Sequence, residues 1–112
     1  MKKIVFLLTT LLVLLVSCDK ERNPRIEYKV NCSSTCIVDY SMNGGLVTTE
    51  SVSGSWSKSF IGNLGSQMYL RVTLNAPNGN FSGRVLINGD DYDVITSNIP
   101  FESKTISGII PE

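Results

Sequence analysis

The sequence predicts an all-β fold: an antiparallel, immunoglobulin-like β-sandwich of about seven or eight short strands, preceded by an N-terminal signal helix. Three observations point there. Period-two alternation of apolar and polar residues recurs from Ile26 onward. Gly-, Asn- and Pro-rich turn signals punctuate it at short intervals. No 3.6-residue apolar repeat follows Val16. A partly open barrel is the runner-up architecture.

The first element is residues 1–17. Lys2 and Lys3 form a short positive region, and the run from Ile4 to Val16, "IVFLLTTLLVLLV", is apolar on every face. A helix of that length spans about 20 Å, short of the roughly 30 Å hydrocarbon core of a bilayer. It reads as a signal peptide rather than a spanning or buried helix. The next residues, Leu15-Val16-Ser17-Cys18, resemble the bacterial lipobox. The resemblance implies that a signal peptidase recognises Leu15, Val16 and Ser17 and cuts before Cys18. The Cys18 thiol would then carry a diacylglycerol thioether, and its freed amine a further acyl chain such as palmitate. Each buried CH₂ contributes about 0.8 kcal/mol, so two or three chains hold a small domain on a membrane. The implied partner is membrane lipid, through acylated Cys18. The implied location is the cell envelope, at the outer membrane on its periplasmic or outer face.

Residues 18–25, "CDKERNPR", are charged and aperiodic and read as a tether. Asp19 and Glu21 loosely resemble the acidic surface-export signals of Bacteroidota lipoproteins, although Lys20 and Arg22 interrupt them; a plain solvated spacer is the other reading. The domain proper is expected over 26–112. "IEYKV" (26–30) and "CIVDYSM" (36–42) open it, and "NGG" (43–45) marks a turn. "LVTTESV" (46–52) and "WSKSF" (56–60) follow. In "QMYLRVTLN" (67–75), Met68, Leu70, Val72 and Leu74 share one face. "APNGN" (76–80) is a turn. "FSGRVLIN" (81–88) and "DYDVIT" (91–96) flank Asn88-Gly89, and a last strand lies within 101–110.

This order of segments resembles the soluble domain of the mycobacterial membrane protein small family (MmpS), and a set of small Bacteroidota lipoproteins. The markers are Tyr28-Lys29-Val30, Tyr40 before Gly44, Trp56-Ser57 and the "VLINGDDYDV" hairpin, within 26–110. The resemblance implies an extracytoplasmic β-sandwich and, as in mycobacteria, an accessory role beside an RND-type envelope transporter. Two features differ. The mycobacterial members carry a spanning N-terminal helix, and Pro often precedes their Trp where this chain has Ser55. A shared fold does not carry a transporter role by itself.

Composition excludes several functions. Ten basic residues balance ten acidic ones, and removal of Lys2 and Lys3 leaves eight basic, so a nucleic-acid surface is not expected. The chain has no histidine, and so lacks the commonest general base and metal ligand. No Gly-x-Ser-x-Gly elbow, phosphate loop or zinc spacing occurs. No catalytic residue, cofactor or metal site is therefore assigned, and a non-catalytic binding or structural module is expected. A weak carbohydrate- or ligand-binding module is the alternative, and an envelope protein is a further candidate partner.

The remaining thiols are Cys32 and Cys36, in "NCSSTC". In an oxidising compartment an even pair reads as a disulfide, here across the mouth of a three-residue hairpin loop. Free buried thiols or a redox or metal role are the other readings. Asp90, Asp91 and Asp93 are dense enough to suggest calcium, yet Tyr92 stands where an EF-hand loop needs an oxygen ligand, and no glycine follows it at 93 or 94. A solvated hairpin is expected there. Trp56 is expected in the core. Tyr40, Tyr69 and Tyr92 would form a stacking platform only if they surfaced together.

Overall fold

The computed structural model describes residues 23–111. The segment read as a signal peptide, the lipobox-like residues Leu15, Val16, Ser17 and Cys18, and most of the expected tether lie outside them. Six antiparallel strands make up the domain: β1 (Arg25–Ser41), β2 (Thr48–Ile61), β3 (Gln67–Leu74), β4 (Phe81–Ile87), β5 (Asp90–Ser97) and β6 (Ser103–Ile109). No helix occurs among the described residues. The all-β antiparallel sandwich expected from the sequence is the fold observed.

All eight expected strand segments are present, joined differently. "IEYKV" and "CIVDYSM" are two halves of the single strand β1, and the next two segments are halves of β2. The β1–β2 hairpin is folded over on itself. The N-terminal half of β1 pairs with the C-terminal half of β2 on one edge and with β4 on the other. Its C-terminal half pairs with the start of β2 and with β3. One layer is therefore β2–β1–β4–β5, and the other is β2–β1–β3–β6. β5 and β6 approach each other at the far side, where Tyr92 lies over Gly108, so the sandwich is nearly closed into a barrel.

The fold of β1 occurs at the cysteines. Cys32 pairs with Gly54 and Cys36 with Val52, so the three residues between the cysteines lie opposite the single Ser53 of β2. That segment, Ser33-Ser34-Thr35, bulges outward, and a bulge bends a strand so that it can pass between layers. Gly54 turns β2 at the same place with a φ of 75°, a conformation that favours glycine. Cys32 and Cys36 are bonded, with Cα atoms 6.2 Å apart. The expected hairpin loop between them does not form. Both flanking segments stay in register on the same neighbour, so the chain continues as one bulged strand. Both ends of β1 consequently meet at one end of the sandwich.

Alternation places Ile26, Tyr28, Val30, Val38, Tyr40, Met68, Leu70, Val72, Leu74, Phe81, Val85 and Ile106 in one core. Trp56 is half-buried and packs against that core, as expected. Tyr28 is fully buried. Its hydroxyl donates to the Ser41 carbonyl at 2.8 Å and accepts from the Tyr69 N–H at 3.2 Å. Burial raises its pKa above the ordinary tyrosine value, against the opposing effect of the Tyr69 N–H.

The domain begins slightly before the predicted boundary. Pro24 is buried and its carbonyl accepts from the Gly62 N–H at 2.7 Å. Arg25 donates its N–H to Asn88 Oδ1 at 2.9 Å. Gly65 N–H bonds the Ile110 carbonyl at 3.0 Å, and Asn43 Nδ2 bonds the Ile61 carbonyl at 3.1 Å. The chain entry, residues 110–111 and the turns at 42–47, 61–66 and 88–89 thus share one end. The bulge at 33–35 and the loops at 75–80 and 98–102 share the opposite end.

Candidate functional site

The end remote from the chain entry holds a cavity of about 680 Å³. Strand alternation explains its polar lining. Asn31 on β1, Ser82 on β4 and Thr96 on β5 occupy one cross-strand row, with Asn31 opposite Ser82 and Ser82 opposite Thr96. Ser33 from the bulge, Glu102 from the β5–β6 loop and Lys104 from β6 add to it. Cys32 and Phe81, both buried in the core, also line the cavity.

The surrounding loops are cross-braced. Ser33 and Asn80 share three hydrogen bonds: the Ser33 N–H and hydroxyl both donate to the Asn80 carbonyl, at 3.0 and 3.3 Å, and the hydroxyl accepts from the Asn80 N–H at 2.8 Å. Ser34 Oγ donates to the Asn78 carbonyl at 3.0 Å. On the other side, Ser97 Oγ donates to Glu102 Oε1 at 2.6 Å and accepts from the Ile99 N–H at 3.2 Å. Lys104 Nζ is 3.9 Å from the same carboxylate oxygen. Phe101 is 63% exposed and has a φ of 60°, a strained conformation for an aromatic residue. Its N–H donates to the Leu74 carbonyl at 2.8 Å, which holds the loop in that shape.

A smaller depression of about 370 Å³ continues down the outer face of the first layer. It shares Asn31 and Ser82 with the cavity and adds the cross-strand pair Lys29 and Arg84. Their ion pairs are long: 3.9 Å from Lys29 to Glu27 and 3.6 Å from Arg84 to Asp91. The combined surface is rich in neutral hydroxyls and amides, with a few charges. Such groups hydrogen-bond hydroxyls and amides of a ligand.

Other sequence-predicted features separate. Tyr40 faces the core, Tyr69 is half-buried on the outer face of β3, and Tyr92 stands exposed on β5, so no stacking platform forms. Tyr40 instead donates to Glu50 Oε2 at 2.6 Å, and Trp56 Nε1 donates to Glu50 Oε1 at 3.4 Å. The Glu50 hydrogen bond pushes the Tyr40 pKa up to about 12, and the same bond lowers that of Glu50. Asp91 pairs with Arg84, and Asp93 accepts from the Val94 N–H. Among the described residues, no group of acidic or thiol side chains is arranged to hold a metal ion. Asp39, which the sequence left unremarked, is buried on the outer face of β1. Arg71 holds it at 2.9 and 3.0 Å, and Thr49 donates to it at 2.6 Å. All three lie in one cross-strand row, so this cluster is a brace between strands.

No protein-family model matches the chain, and no curated protein matches its sequence.

Proposed function

We propose that the chain is a lipid-anchored envelope lipoprotein, held at the outer membrane through acylated Cys18, whose β-sandwich binds a partner or polar ligand without catalysis. The lipobox-like Leu15-Val16-Ser17-Cys18 after an apolar run supports the anchor. The supporting structural observation is polarity of the domain. The chain enters at Pro24, and the polar cavity opens at the opposite end. An anchored domain built this way presents its cavity away from the lipid. Cys18→Ala should leave the precursor unprocessed or release the protein from the membrane fraction. A Cys18→Ala protein that is still cut and still held by lipid defeats the anchor.

The cavity favours a second reading, a weak carbohydrate or small-ligand binder. Glycan arrays probed with the purified protein, followed by calorimetry on any positive, test it. Silence on both removes it. Crosslinking on intact cells addresses the transporter-accessory reading, which requires an RND-type transporter among the captured proteins.

A further inference from the structure

Ten large hydrophobic side chains are exposed among the described residues, and six of them gather at the chain-entry end: Met42, Leu46, Val47, Ile61, Leu64 and Ile109. Leu46 is 95% exposed. The turns that carry them are joined. Gly44 N–H bonds the Gln67 carbonyl at 3.1 Å, Gln67 pairs with Ile109, and Asn43 Oδ1 accepts from the Asn63 N–H at 2.7 Å. The acidic turn at 88–91 shares this end but belongs to the other layer, so the apolar surface is one-sided.

Turn geometry does not account for these residues. The 42–45 turn needs positive φ at Asn43 and Gly44, which it has at 54° and 70°. Nothing in that requirement calls for Leu46 or Val47 beyond it, and a soluble turn is ordinarily polar there. A gathering of exposed apolar side chains marks a contact surface.

The tether identifies what it contacts. Five residues, 19–23, separate Cys18 from buried Pro24. Fully extended, they span at most about 18 Å. An acylated Cys18 therefore holds this end close to the bilayer surface and leaves little room for another protein. We propose that the loops at 42–47 and 61–64, with Ile109, dip their side chains into the lipid interface. The domain then stands on the membrane in one orientation, tilted onto its β3–β6 side. Only side chains enter, because loop backbone needs the hydrogen bonds available at the headgroup level. This inference rests on the lipid-anchor reading.

The test uses the full lipidated protein in phosphatidylethanolamine–phosphatidylglycerol vesicles with brominated acyl chains. A fluorophore is placed at Leu46→Cys or, at the remote end, at Asn78→Cys. Bromine is expected to quench the dye at 46 and not at 78, and Val47→Asp with Leu64→Asp should abolish the quenching at 46. A dye at 46 that stays bright while Cys18 keeps the protein on the vesicle overturns the inference and spares the anchor. Shielding of that dye from aqueous iodide without bromine quenching means a protein covers the surface, and also overturns it. Failure to stay on vesicles at all removes the anchor, and the inference with it.

Discussion

Tyr28 links the two halves of the strand that contains it. Its hydroxyl, on the N-terminal half of β1, bonds the Ser41 carbonyl at the C-terminal end of the same strand. Tyr28→Phe leaves that carbonyl and the Tyr69 N–H without this partner inside the core. The expected cost is about 1–3 kcal/mol, measured by urea unfolding with an unchanged m-value. Tyr40 makes a different prediction. Because its folded pKa is raised to about 12, the neutral phenol is favoured in the native state. Its stabilisation is full below the ordinary value of 10.0 and is lost as pH rises toward about 12. For Glu50, whose pKa is lowered, the contribution is present above the ordinary carboxylate range and fades as pH falls. Ultraviolet titration should show both Tyr28 and Tyr40 ionising late, and Glu50→Gln should move only Tyr40 back toward the ordinary value. The sequence revealed that Tyr28 and Tyr40 sit on alternating strands. It did not reveal their partners, because Ser41 and Tyr69 reach Tyr28 only after β1 has folded over.

At the scale of elements, the corner depends on the disulfide and on one glycine. Closing the five-residue Cys32–Cys36 loop is worth about 2 kcal/mol on a chain-entropy estimate. Replacing both cysteines with serine should lower the melting temperature by roughly 8–16 °C in calorimetry. An unchanged melting point would mean that the bulge is held by Ser33, Ser34 and the 75–80 loop alone. Gly79, with a φ of 115°, backs the bulge so closely that a Cβ there would collide with Ser34 Oγ. Gly79→Ala should cost about 1–3 kcal/mol in chemical denaturation, from strain and collision together. Strand segments were legible because alternation is local: Met68, Leu70, Val72 and Leu74 are all buried as expected. The Asn43-Gly44 and Asn88-Gly89 turns were legible for the same reason. "NCSSTC" reads locally as a hairpin because a bulge and a loop use the same residues. The difference is whether the flanks keep one neighbour, and that neighbour, β2, comes later in the chain.

For the molecule as a whole, the cavity shows what sequence reading misses. Asn31, Ser82 and Thr96 each look like an ordinary outward residue of a strand. They converge because β4 pairs with β1 across a long stretch of intervening chain, and no local signal records that pairing. The shared strand has a mechanical consequence. β1 is the point where any pull on the chain ahead of Arg25 enters the domain. From Ile26 to Cys32 it is gripped on both edges, by β2 and by β4, through bonds lying across its axis. A pull along that axis must break both ladders together in shear, instead of unzipping them one bond at a time. Beyond them, the covalent clasp between Cys32 and Cys36 keeps the bulge from paying out slack. The domain is thus reinforced against force at the end by which a lipid would hold it. In a force spectrometer, pulling through the N-terminus should meet more resistance than peeling β5 from its exposed edge.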